Sequence, residues 1–263
     1  MSNVLDDNPA PLVGPLGALE DTFDPRTVKF SAALKQAGPM PRPGSSRRYS
    51  LTEEGGAIKR SAHGNNKYGS CVFTTHANLD ETVCAHTGAT PITNEQIVLA
   101  GYDKHTDFDL ETGANDNGAS MLDGVRWAKS IGLFSDYAEV DTSDQEEVDL
   151  ALDLTMGVQI ALALPVAWRS RKVWDTIPDS DRDSAWKYGS WGGHSVCIVD
   201  QDRRGYTIVT WGGYKLLTRP ALASYRKHNA FAGFHHALAK TQDGDLTPTG
   251  RTAAAIKALL PHV

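Results

Sequence analysis

Helix-period and strand-period segments are kept apart in this 263-residue chain, and that separation constrains the fold more than any other feature. Cys71 to Ala85 sets Phe73, Ala77, Val83 and Cys84 near one helical face. Thr93-x-x-Gln96 has the form of a capping box before a shorter helix, Ile97 to Ala100, and Ser120 to Ile131 supplies a third helix. Ser143-x-x-Glu146 is expected to cap a fourth, ending near Thr155. The period then changes. Val158 to Leu164, Ser195 to Gln201, Tyr206 to Trp211 and Tyr214 to Thr218 have strand length, and Gly-bearing turns separate the last three. A helix from Ala221 to His228, an edge strand from Phe231 to Leu238 and a closing helix from Thr249 to Leu260 complete the expectation. Helices first and strands later predict an α+β architecture and not alternating βαβ units.

The flanks differ from this middle. Seven of the 13 prolines fall in the first 43 residues, which argues against a sheet or a long helix there. Only Phe23 to Leu34 is apolar enough to dock. Residues 1–45 are therefore expected to form an arm with three candidate uses: a flexible leader, a pro-segment across a cleft, or a means of binding a protein partner or a second copy. Residues 46–240 form the folded domain, with a helical lobe to about 135 and a β lobe from 136, and 241–263 a linker and helix. No apolar run approaches the ~20 residues that span a bilayer, and no signal peptide is expected. The expected location is cytoplasmic or virion-associated. A net charge of −6 opposes binding to nucleic acid or an anionic membrane. Arg47, Arg48, Lys59 and Arg60 are interrupted by Glu53 and Glu54 and are taken as a solvated face.

Three cysteines are too few for a disulfide framework or a zinc site, and no metal or cofactor is expected. Asp107-x-Asp109-x-Glu111 gathers oxygen ligands, but an EF-hand needs glycine and glutamate where Thr112 and Gly118 stand. That stretch is taken as a turn before a helix cap.

Two segments carry chemistry. Asn65-Asn66-Lys67-Tyr68-Gly69-Ser70-Cys71 places a thiol at a helix start, where free N–H groups and the helix dipole favour thiolate. The other reading of Cys71 is a small buried hydrophobe. Trp191-Gly192-Gly193-His194-Ser195-Val196 opens an apolar strand with an imidazole on the face of Val196 and Ile198. His76 lies about 140° around the helix from Cys71 and is assigned a structural or exposed role. Cys84 is expected in the core, and Cys197 points away from His194. Trp168, Trp174, Trp186 and Trp191 crowd the loop before the histidine, so Trp174, Trp191, Gly193 and Trp211 are the candidate groove residues.

Asn65…Gly69-Ser70-Cys71 resembles the nucleophile segment of papain-like cysteine peptidases, Gly193-His194-Ser195-Val196 their histidine strand, and Trp211-Gly212 their Trp-Gly turn. Glu146 to Leu164 is similar to the helix and strand preceding that histidine. Asp24-Pro25-Arg26-Thr27, Thr112 to Gly118 and Ser190 to His194 resemble uncharacterised papain-fold proteins of phages and bacterial genomes. The resemblance covers about residues 24 to 240. It implies a cleft between two lobes and hydrolysis of a peptide or isopeptide bond in a peptide or protein substrate. Cys71 would be the nucleophile, His194 the base, and Asn65 (or Asn66) with the Cys71 N–H the oxyanion donors. Where the family has Asn or Asp to orient its histidine, this chain has Thr210. That departure keeps a second reading open, a catalytically weak or inactive papain-fold structural or binding component, in a phage virion for instance.

Overall fold

The computed structural model describes residues 5, 14–20, 24–37, 46–52 and 54–239. The expected closing helix, Thr249 to Leu260, and the rest of 241–263 lie outside them.

Helix α1 (Phe30–Ala37) docks Phe30 and Ala33 into the core, and strand β1 (Arg47–Arg48) follows. The central helix α2 (Cys71–Thr87) is buried on nearly every side from Cys71 to Cys84, as a helix gripped by other elements all round must be. Helix α3 (Glu95–His105) is longer than expected and begins from Asn94, whose side chain accepts from the Ile97 N–H. Thr93 is not its cap. Its N–H and hydroxyl go instead to Asp80 on α2. Helix α4 (Met121–Ser130) is capped by Ser120 as its sequence implies. Helix α5 (Gln145–Thr155) is capped by Asp144, not Ser143, because the carboxylate reaches both Glu146 N–H and Glu147 N–H.

Eight strands form one mostly antiparallel sheet, so the architecture is α+β as expected. They include β2 (Phe134–Val140), which no strand signal marked, β3 (Val158–Leu164), and β4 (Val173–Trp174). The rest are β5 (Gly192–Gln201), β6 (Gly205–Thr210), β7 (Gly213–Thr218) and β8 (Arg226–His235). The order is β2-β8-β3-β5-β6-β7-β4, with β1 paired to β5 and only β4 parallel to its neighbour. Strand β8 was expected at an edge but lies inside, between β2 and β3; its apolar residues Ala230, Phe231, Ala232 and Phe234 are all buried. It starts at Arg226, so the preceding helix α6 (Arg219–Tyr225) stops short of His228. The chain ends its described part in the short helix α7 (His236–Ala239). No described helix is long and apolar enough to cross a membrane.

Two buried polar clusters hold α2 to the sheet. Gln159 on β3 donates to the Val72 carbonyl at 3.1 Å and to Ser195 Oγ at 3.2 Å, and Ser195 Oγ also meets Thr75 Oγ1 at 2.9 Å. At the other end, Asp80 Oδ1 accepts from His235 Nε2 at 3.0 Å and from Cys84 Sγ at 3.2 Å, while Oδ2 takes Ile92 N–H, Thr93 N–H and the Thr93 hydroxyl. The Ala237 N–H fills His235 Nδ1, so the proton of that ring sits on Nε2. Burial alone would raise the Asp80 pKa; the hydrogen bonds from His235 and Thr93 outweigh it and hold the carboxyl below its ordinary value. Asp80→Ala strands these donors in the interior and is expected to cost roughly 3–5 kcal/mol, by analogy with breaking a buried pair, as read by urea unfolding at pH 7.

Candidate active site

Cys71 opens α2 directly after Gly69-Ser70. Gly69 is pinned: its N–H donates to both oxygens of Asp116, at 2.8 and 3.1 Å, and Tyr102 OH donates to the same carboxylate at 2.7 Å. The acidic loop that resembled a cation site thus positions the turn before the thiol. His194 comes from β5, where it pairs with Leu162 of β3. Its Nε2 lies 2.7 Å from Thr210 Oγ1 on β6, so the structure does bring Thr210 to the histidine. Trp211 stacks on the imidazole at 4.2 Å and 15°, held there by a left-handed backbone (φ 47) that a bulky residue rarely adopts. The other ring nitrogen, Nδ1, is buried and has no hydrogen-bond partner among the described residues. It is the nitrogen left for proton transfer.

The elements that carry the two candidates are tied together one turn into α2, where Thr75 Oγ1 meets Ser195 Oγ, next to His194, at 2.9 Å. Both candidates are almost wholly buried. Burial pushes the Cys71 thiol up to about 11, against backbone hydrogen bonds from Ser195, Gly17, Val72 and its own N–H. Burial also pushes His194 down to about 3, with a smaller push from the Lys215 ammonium. At neutral pH these are a protonated thiol and a neutral imidazole, not an ion pair.

The chain's own arm packs against the segments that carry both residues. Residues 14–20 form a strap along the cleft. Its Gly17 packs against the carbonyl of Gly69, two residues before Cys71. The Ala18 N–H donates to the Gly193 carbonyl at 3.1 Å, and a parallel bridge joins Ala18 to Ala119 through the bonds Leu19 N–H to Ala119 O and Ala119 N–H to Gly17 O. The Pro15 carbonyl takes Asn65 Nδ2 at 3.4 Å and Trp211 Nε1 at 3.5 Å. Asn65 is thus in the cleft with one amide hydrogen held by the Tyr68 carbonyl at 2.9 Å and the other turned to the strap. The fit needs glycine: a Cβ on Gly17 would stand 1.9 Å from the Gly69 carbonyl oxygen, and one on Gly193 would stand 2.1 Å from the Ala18 oxygen. The proline bias against a sheet in the arm therefore holds only in part, because bonding through Gly17, Ala18 and Leu19 requires nothing of the prolines.

Of the groove candidates, Gly193 and Trp211 touch the strap, and Trp191 packs half-buried against Trp211 with the Arg169 guanidinium over its ring. Trp174 is fully buried, stacked on Trp168 at 5.1 Å and edge-on to Trp211 at 6.2 Å, so it packs behind the groove ring of Trp211. His76 is structural, walled by Trp127 and Phe134, and Cys84 and Cys197 are buried. The sequence offers residues 1–45 as a segment across a cleft, but it does not single out 14–20 within them or Ala119 as their support.

A helix-start thiol, a strand histidine stacked under a Trp-Gly turn, and an amide before the thiol, all on an α+β scaffold, define the papain-like fold. The comparison with solved structures agrees. The chain is similar to xylellain, a cysteine protease from Xylella fastidiosa, with a TM-score of 0.60 and 13% identity over 84% of this chain and 96% of that one. The digestive procathepsin L 3 of Tenebrio molitor larval midgut matches at a TM-score of 0.49 and 13% identity over 75% of this chain and 72% of that one. At such identity the likeness concerns the fold. No protein-family model matches the sequence, and neither does any curated protein.

Proposed function

We propose that the protein is a papain-like thiol hydrolase of peptide or isopeptide bonds, kept latent by the strap of residues 14–20. The observation that carries this reading is a length of main chain already bound where a substrate would lie, with Gly17 packed against the Gly69 carbonyl and the Pro15 carbonyl at Asn65. With the strap out, water and the charge of each partner stabilise thiolate and imidazolium together. Thiolate attacks the substrate carbonyl carbon. Asn65 Nδ2 and the Cys71 N–H donate to the oxyanion, and His194 Nδ1 passes its proton to the leaving amine as the C–N bond breaks. Water, deprotonated by the same nitrogen, then splits the thioester to acid and thiol. Thr210 accepts from Nε2–H throughout and so keeps Nδ1 aimed at the sulfur.

Two variants test the assignment in strap-released protein. Cys71→Ala is expected to remove all hydrolysis of a fluorogenic peptide. Thr210→Val keeps the volume but deletes the acceptor, and is expected to lower kcat about 10- to 100-fold with little change in KM, since an orienting group acts on the chemical step. Hydrolysis that survives Cys71→Ala would refute the mechanism. The second reading, a papain-fold binding or structural component such as a virion protein, is favoured by the uncharged Thr210 and the protonated Cys71. It gains if release of the strap leaves Cys71 no more reactive than Cys84 and Cys197.

A further inference from the structure

Lys227 is a cation that the mechanism leaves unused. It stands on β8 with its side chain only 11% exposed, and Nζ lies 2.8 Å from Glu20 Oε1 and 3.3 Å from the Ala18 carbonyl oxygen. A Cβ on Gly193 would come within 3.2 Å of the same Nζ, so the ammonium sits beside the residue preceding His194. Both of its partners belong to the strap. The Tyr188 hydroxyl donates to the carbonyl of Arg226, the residue before Lys227, at 3.2 Å. Lifting the strap therefore takes a carboxylate and a carbonyl from a mostly enclosed ammonium in one step. A mostly enclosed cation without a counter-charge is costly, even where that counter-charge, like the Glu20 side chain, is 75% exposed, and a bound chain that restores both partners is favoured over one that cannot.

We infer that Lys227 selects an acidic side chain, so that the cleft takes peptides carrying Asp or Glu at the position Glu20 now occupies. The inference rests on the reading of the cleft as a substrate site. Ala18 and Glu20 then show the recognition: backbone carbonyl and carboxylate, two residues apart, on one ammonium.

Binding and turnover are measured separately, so that the two ideas can fail separately. Full-length protein carrying Gly17→Val to unseat the strap and Cys71→Ala to prevent cleavage is titrated with labelled peptides that place one Glu or one Lys at successive positions. At one position the Glu peptide is expected to bind about tenfold more tightly than its Lys twin, a difference ordinary for a close charge pair. Lys227→Glu is expected to reverse the order and Lys227→Met to abolish the difference, the second variant guarding against a folding defect in the first. Equal binding of the twins, an order unchanged in Lys227→Glu, or no binding of any peptide overturns the inference. If the acidic preference holds while the Cys71-intact protein cleaves none of these peptides, the inference stands and the hydrolase reading fails.

Discussion

Gly17→Val is expected to turn Cys71 into the most reactive thiol of the chain. The wild-type strap clears the Gly69 carbonyl only because position 17 has no Cβ, whose place lies 1.9 Å from that oxygen. The backbone carbonyl cannot yield as a flexible side chain would, so a branched residue lifts the strap. Lifting it exposes the sulfur and permits the ion pair with His194. A thiol raised to about 11 is almost entirely protonated at pH 7.5. Bringing it to about 7, within the range of histidine-paired thiols, raises the thiolate fraction by roughly three orders of magnitude, and weaker intrinsic nucleophilicity returns nearly two of them. The net gain is at least about thirtyfold in the iodoacetamide rate before access is counted, with Cys84 and Cys197 unchanged as internal controls. Should all three cysteines label slowly and equally in a folded Gly17→Val protein, the strap would not be what silences the thiol.

The parts legible in the sequence are those set by local rules. A helix-start thiol after Gly-Ser and a histidine opening an apolar strand are short-range patterns, and both elements stand where their residues imply. Segregated periods gave the α+β class for the same reason. What escaped is set by pairing at a distance. Strand β2 alternates poorly, since Ser135 is exposed and Asp136 and Tyr137 only half-buried, and it exists because β8 offers a partner. Asp144 took the cap from Ser143 and Asn94 from Thr93, the latter because Asp80, 13 residues earlier, needs the Thr93 donors. Trp174 was assigned to a groove on composition, but an aromatic loop has no period to say which way each ring turns. The strap is the clearest case. Pro15-Leu16-Gly17-Ala18 has no secondary-structure signal at all, and its bound form depends on carbonyls and amides from Gly193 and Ala119, more than 100 residues away.

Acid is expected to open the cleft before it unfolds the protein. His194 and His76 are both buried neutral, each pushed by desolvation to about 3. In the unfolded chain each titrates near 6.5, so between pH 6.5 and 3 the unfolded state binds more protons, and stability is present above that window and falls as pH falls through it. From pH 7 to 4.5 a ring that stays buried withdraws roughly 2.5 kcal/mol, measurable as a drop in the urea-unfolding free energy. The two rings differ in what must move to admit a proton. His76 is enclosed by Trp127, Phe134 and α4, so charging it means breaking the core. His194 lies beside a strap held by backbone hydrogen bonds to Gly193 and Ala119, which part without opening the core. Protonation of His194 is therefore met by lifting the strap. At pH 4.5, where an isolated thiol is inert, the opened Cys71 beside imidazolium keeps thiolate character, and iodoacetamide is expected to label it ahead of Cys84 and Cys197 while circular dichroism remains native. His76→Gln should remove most of the loss of unfolding free energy without changing that labelling. Labelling of all three cysteines together, in step with the loss of circular dichroism, would mean that acid acts only through global unfolding and that the strap has no independent motion.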